Sequence, residues 1–512
     1  MKALFTNNRK VILAFALTLI FTACDLVGDG EKPILISPDA EDITGFLRNL
    51  NADTNNLLNV QSISGESQRK EAGISSKSTG VSGGTEDCKT TKYDLLNNFE
   101  EVAILRPTSG IIYPGALVIA DKATLGGLPT PAAVDRAPMT LRIDLPGMGE
   151  NGTLKVDKPS DFSVAEKIDE ALEWWNANAY EDGYVNASNS SFVAKTAYSS
   201  RQVSMDLSMN VEWARGDVAA QFNFSQDKTS STAMMVFKQV FYTITMTPPT
   251  NPGGFFGPEA SISEIEQKFG PDSPPAYVQS VNYGRIIMFR MTTTTSATEA
   301  ELEGSLNYAA GKIKPTDISA TIEAKYKKIL ETSTVTVVTI GGNAEVASEA
   351  VSARNFADLE PIIKGKNAVY SRDNPGVPIS YKLHFVKDNT TAKLGYTTSF
   401  EIENCDVNLH PARDVRVLNN AGTITAPNVR YSITHKTRGK SGTSTINSGN
   451  IGFRKSATKT VPAGAYDINV KIEVWDITWK TIKEYQYSKP TKVCFETFKP
   501  NFISISVKEV GC

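Results

Sequence analysis

Histidine is nearly absent from this chain. Three occur in 512 residues, His384, His410 and His435, and none stands at a metal-ligand spacing. Zinc sites and histidine-based catalytic triads therefore have little to be built from. No P-loop or dinucleotide fingerprint is present, and the match to G-x-S-x-G at Gly80–Gly84 falls in a polar stretch without a strand-to-helix setting. Basic clusters are also missing. Lys and Arg are scattered and the net charge is −3, which gives a nucleic-acid partner no footprint. The chain reads as a non-enzyme with no catalytic residue, metal or cofactor.

Apolar runs long enough to span a bilayer as a comfortable helix are missing as well. The run Val11–Phe21 is too short; Lys2, Arg9 and Lys10 precede it and the small residues of "FTAC" close it, the pattern of an export signal. With Phe21 where Leu is usual, "FTAC" resembles a bacterial lipobox, which would make Cys24 a lipid anchor; the alternative is a plain secretory signal. Either way the protein is exported, to the cell surface or outer membrane or into the medium. Export permits disulfides among Cys88, Cys405, Cys494 and Cys512, whose pairing stays open.

A chain of this length, 40% hydrophobic, is expected to hold several domains. Residues 25–90 are rich in Ser, Gly, Asn and Glu and read as a flexible tether after a signal at 1–24. Residues 91–403 form a mixed body. Ile168, Leu172 and Trp175 mark one face of a helix, and "MMVFKQVFYTITM", "VNYGRIIMFRMTTTT" and "TVTVVTI" read as strands. Residues 404–512 carry short alternating runs and read as an all-β sandwich. The fold class is α+β.

Two regions answer to two periods. From Arg201 the residues Val203, Met205, Leu207, Met209, Val211 and Trp213 alternate with polar ones; past "ARGD", Val218, Ala220, Phe222 and Phe224 resume the alternation. Each arm is about as long as the ~9–11 residues of a tilted membrane strand. In the second region Ala300, Leu302, Leu306 and Tyr308 alternate with polar residues, and past "KIKP" so do Ile318, Ala320 and Ile322. There Leu302, Leu306, Ala309 and Ile313, and Ile318, Ile322, Tyr326 and Ile329, also make helical stripes. The pattern alone leaves two readings, an ordinary half-wet strand or a segment stored as helix and extended into lipid.

Six ordered blocks resemble the cholesterol-dependent (thiol-activated) cytolysins: "YPGALVIADKA", "MTLRIDLPGMGENGTLKVDKPS", "FKQVFYTITMTPPTNPGGFF", "PPAYVQSVNYGRIIMFRMTTTTS", "VVTIGGNAE" and "VPISYKLHFVKDN". The resemblance implies an elongated multi-domain protein whose bent central antiparallel sheet is flanked by two helical clusters, with a C-terminal sandwich for membrane or receptor binding. It implies assembly into a homo-oligomeric ring on a target membrane, where both clusters refold into transmembrane hairpins. Ser199–Lys228 and Thr298–Tyr326 fall at the clusters' positions, so membrane hairpin is the expected reading. Gly341 and Gly342 match a glycine pair at which the sheet bends, although Gly-Gly also marks plain turns. Tyr198 matches an aromatic that stacks on a neighbouring subunit; its partner position holds Val335.

The family's Trp-rich undecapeptide and its Thr-Leu pair are missing, so cholesterol recognition is not carried over. Trp475 and Trp479 read either as interfacial membrane contacts or as strand-face aromatics. The receptor is then another lipid or a glycan, or a related partner subunit assists binding. The competing function is a lipid-anchored binding or assembly-partner protein of the same fold that makes no pore of its own.

Overall fold

The computed structural model describes residues 35–81, 83–104, 110–127, 129–209, 231–295, 297–342, 363, 365–421, 428–437, 441–501 and 504–512. Cys24 lies outside them. The described chain opens with helices α1 (Ala40–Asn49) and α2 (Thr54–Leu57) and a long hairpin of β1 (Ser67–Val81) and β2 (Gly84–Phe99). Short strands β3 (Val102–Ala103), β4 (Leu117–Ile119), β5 (Thr130–Pro131), β6 (Met139–Ile143) and β7 (Thr153–Val156) lead to α3 (Asp161–Ala177). Then come β8 (Asn189–Thr196), α4 (Ser200–Asp206), β9 (Ser231–Thr247), α5 (Ile262–Lys268) and β10 (Pro275–Thr293). Helices α6 (Glu299–Ala309) and α7 (Ala320–Glu331) precede β11 (Ser333–Ile340), β12 (Val377–Phe385) and β13 (Leu394–Leu409).

The central sheet is built on β9 and β10, paired antiparallel from Ser280–Thr245 to Thr293–Ser231. β8 flanks β9, while β10 carries two strands in succession on its other side: β12 along Ala276–Gly284 and β11 along Ile286–Thr293. Apolar residues stand consecutively in "MMVF" and "IIMF" because both faces of this sheet are covered. Met234, Val236, Ile286 and Met288 belong to one cluster, and Met235, Phe237, Ile287 and Phe289 to another. Helix α3 packs below, capped by Ser160 and burying Val164, Ile168, Ala171 and Trp175 at the expected spacing.

The flexible tether expected over residues 25–90 is corrected from residue 35 onward. Helix α1 buries Ile43 and Leu47, and the Ser37 hydroxyl donates to the Ala260 carbonyl at 2.6 Å. Residues 67–99 form a ribbon in which β1 pairs with β2 and β2 with β13. β1 is exposed along almost its whole length. A two-sided wet strand has no apolar face, so its composition cannot be told from a linker's; only the pairing reveals it. Cys88 and Cys405 face each other in this register and are disulfide-bonded. The boundary expected at 403/404 falls inside β13, which belongs to the ribbon.

Past the ribbon the described residues form strands only: β14 (Arg413–Asn419), β15 (Val429–Thr437), β16 (Ser444–Asn447), β17 (Ser456–Val461), β18 (Ala465–Asp476), β19 (Thr478–Tyr487), β20 (Val493–Phe498) and β21 (Ser506–Val510). They make two four-stranded sheets, β17-β14-β20-β21 and β16-β15-β18-β19. Val417, Ile433, Val470, Ile472 and Phe495 fill the core between them. A second disulfide, Cys494–Cys512, ties the C-terminus to β20. The architecture is α+β with a C-terminal sandwich.

Candidate membrane-insertion segments

The first segment leaves β8 at Thr196 and packs on one face of the central sheet. Val203, Leu207 and Met209 join Met234, Val236, Ile286, Met288 and Ile379, while Met205 turns into the larger core. Val203 and Met205 are 0% exposed. Ser199 caps α4 by a reciprocal box with Gln202. The helix is short because this arm scatters its apolar residues around a helical wheel, and Ser208 ends it in the left-handed region at φ 53°. Val211, Trp213, Val218, Ala220, Phe222 and Phe224 lie outside the described residues.

The second segment packs on the opposite face. Leu302, Leu306 and Ile329 cover Met235, Phe237, Ile287, Phe289 and Met291. Helix α6 is capped by a Thr298–Glu301 box and α7 by Ser319. Lys325 is ion-paired to Glu301, and Lys327 to Glu323 at 2.7 Å, while the Tyr308 hydroxyl donates to Glu323 at 2.9 Å. The helical stripe expected from Ile318 to Ile329 is corrected. Ile318 precedes α7, Ala320 is exposed, Ile322 is 43% exposed, and Ile329 alone of the stripe is buried. Ala300 is exposed and Tyr308 half-buried.

Polar groups near the start of both segments are strained electrostatically. Burial raises the carboxyl pKa of Asp206, against a hydrogen bond from Gln202. Burial likewise raises that of Glu303, which accepts from the Thr196 backbone N–H at 3.0 Å. By contrast, hydrogen bonds from Lys325 and Lys327 lower the pKa of Glu301 and Glu323. Tyr198 stacks on Phe400, ring centroids 5.6 Å apart at 12°. Its phenol pKa is raised, by burial first and by Glu299 next. Arg69 is ion-paired to Glu299 at 3.0 Å. The sequence carried no signal for Arg69, Glu299 or Phe400, because their contacts cross hundreds of residues; for Gln202 the capping-box spacing was the available one.

Gly341 and Gly342 end β11 at φ 80° and 87°. A Cβ on Gly341 would stand 2.6 Å from Val377 Cγ2 and 2.7 Å from the Gly284 carbonyl oxygen. Gly341 thus sits where β10 exchanges β12 for β11 as its neighbour, a place with no room for a side chain. Val335 pairs with Met291 in the β10–β11 ladder.

Trp475 and Trp479 face each other across the β18–β19 hairpin, centroids 5.5 Å apart, and Arg430 lies 4.1 Å over the Trp479 ring. Ile477 at the turn is 87% exposed, with φ 65°, a conformation costly for a β-branched residue. β18 begins beside the ribbon, where His410 accepts from the Gly464 N–H at 2.9 Å. Its 12 residues rise about 3.3 Å each, so the tip stands about 40 Å from the ribbon.

This combination defines a class: a sheet whose connecting segments are stored as helices on its two faces, with a sandwich at one end. The chain matches thiol-activated cytolysins over residues 42–406, more than half its length. It is 33% identical to perfringolysin O of Clostridium perfringens over 327 residues, which is 62% of this chain and 63% of that one. It is 31% identical to tetanolysin of Clostridium tetani over 61% of this chain and 58% of the relative. The match thus spans less than two thirds of either relative's length. In fold it is similar to the human-specific toxin intermedilysin, with a TM-score of 0.62, 22% identity, and 92% and 98% of the two chains covered. The chain belongs to the thiol-activated cytolysin family. That places it among cytolysins rather than enzymes.

Proposed function

We propose that the chain is an exported pore-forming cytolysin. It binds a target membrane through the sandwich tip, assembles into a ring, and extends residues 199–228 and 298–326 into transmembrane hairpins. The observation that supports this best is register. Each segment connects two strands already paired at its base, Thr196 with Ala233 and Thr293 with Ser333. Continued without a break, the first ladder turns between Ala214 and Arg215 and the second at Ile313, within the sequence's own "ARGD" and "KIKP" turns. Cross-strand partners share a face, so Lys195, Met234, Arg290 and Thr336 mark one side of the sheet. In unbroken register Val203 to Trp213, Val218 to Phe224, Ala300 to Tyr308, and Ile318 to Ile322 all put their alternating apolar residues on that side. Independent wet-faced strands would have no reason to agree in all of these arms. A closed barrel with one apolar surface is what lipid requires.

No helix among the described residues is long and apolar enough to cross a membrane, so in this reading strands do the crossing. Trp475, Trp479 and Ile477 form the membrane-contacting tip, with lipid or glycan as receptor, and Cys24 carries the anchor before release. Dye release from liposomes of varied composition, with and without cholesterol, tests the reading. A disulfide tying position 302 to the sheet should block release until it is reduced. No release from any lipid or cell extract, with or without a related partner protein, would leave the non-lytic assembly partner as the function.

A further inference from the structure

The ribbon does more than connect the sandwich to the body; it touches both candidate segments. Tyr93 of β2 stacks on Phe400 of β13, directly across the ladder, with centroids 5.6 Å apart. Phe400 stacks in turn on Tyr198, the residue before the Ser199 cap of α4. The Arg69 guanidinium, on β1, lies against this column, 4.3 Å from the Tyr93 centroid, 4.8 Å from that of Phe400 and 5.9 Å from that of Tyr198. The same guanidinium reaches Glu299, the first residue of α6. Nearby, the buried Asn97 of β2 donates its amide to the Met205 carbonyl of α4 at 2.9 Å.

We propose that Arg69, seated in the Tyr93–Phe400–Tyr198 column, is a latch through which the ribbon holds both insertion segments in their helical form. The chemistry suits the task. A planar guanidinium can lie on rings and present its N–H edge to a carboxylate at once, so one side chain joins a stack leading to the first segment and an ion pair leading to the second. The two segments meet near their starts, where Glu303 accepts from the Thr196 backbone N–H; Arg69 at the sheet's margin, fastened to both starting points, gives the ribbon a hold on that meeting point. Movement of the ribbon away from the sheet would then free Tyr198 and Glu299 in a single event. This rests on the proposed refolding, but the latch can be tested in the soluble protein.

The test is hydrogen exchange on the full chain, read at α4 and α6 with α3 as internal reference. Arg69→Ala should speed exchange about tenfold in both α4 and α6 and leave α3 unchanged, the scale of losing one partly buried cation–π and ion-pair site. Arg69→Lys, which keeps the charge without the planar face, should protect α6 but not α4. If Arg69→Ala fails to fold, Glu299→Gln removes the same ion pair while leaving the guanidinium on the rings, and should loosen α6 but not α4. In Arg69→Ala, acceleration confined to α6 or no acceleration at all would overturn the latch, as would unchanged exchange of α6 in Glu299→Gln or full protection of both helices by lysine. Faster exchange in both helices without dye release from any membrane would uphold the latch and count against the pore.

Discussion

The two candidate segments are alike in the role proposed for them and unlike in how they are held. The second is a pair of regular helices whose Ala, Glu and Leu favour that form, with a capping box on α6, a Ser319 cap on α7 and one i,i+4 ion pair, Glu323–Lys327, on the outer face. It would hold much of its shape from local forces. In the first, α4 is a capped helix of about two turns, and Val203 and Met205 within it and Leu207 and Met209 just beyond it are all buried. Its shape depends on the surface beneath. A residue pattern that alternates as a strand does leaves little freedom to be a good helix too, and burial makes up the difference.

That contrast can be broken most forcefully at Val203. Val203→Asp puts a charge into an apolar cluster with no partner, and should cost roughly 4 kcal/mol or more in urea unfolding. Leu306→Ala removes buried contacts on the other face and should cost about 3 kcal/mol, leaving α6 helical by circular dichroism. Gly341→Val forces a left-handed β-branched residue against Val377 and should cost about 2 kcal/mol while slowing release.

Acid should move α4 and α7 in opposite directions. Asp206 has a raised pKa in the folded state, so it takes up a proton there before it would in the unfolded chain, and stability at α4 rises as pH falls through that raised value toward the ordinary carboxylate range. Glu301 and Glu323 have lowered values, so the stability of their pairs is present above the ordinary carboxylate range and lost as pH falls through it. Exchange corrected for intrinsic rates should slow at α4 over that window, where the likewise raised Glu303 acts in the same sense at α6, and quicken at α7 below it. Asp206→Asn should abolish the effect at α4 alone; a parallel response of α4 and α7 would refute the assignment.

The smallest effects on stability fall on exposed residues. Ile322→Asp should change unfolding by less than about 0.5 kcal/mol yet abolish dye release, since the residue meets lipid only in the extended form. Ile477→Asp should be equally silent in unfolding and should instead prevent vesicle binding in a flotation assay.

How much of this was legible beforehand varied with burial. Strands covered on both faces announced themselves as β-branched and aromatic runs, and the helix at Trp175 by its spacing. The ribbon was illegible, because β1 is wet on both sides and reads as linker. The stripe Ile318–Ile329 misled for a related reason: its period matched a helix, but the helix begins after Ile318 and turns Ile322 outward.

Alternation along the four arms is a property of the sequence by itself, and so is the glycine pair, since period and backbone freedom are local. Which face each arm would take was decided by tertiary structure, through the register of Thr196 with Ala233 and of Thr293 with Ser333. So was the gathering of Arg69, Tyr198, Glu299 and Phe400, which lie far apart in the chain and meet only because the ribbon folds back beside the sheet. Local chemistry determines what a segment can become; long-range pairing decides where it is held and against what.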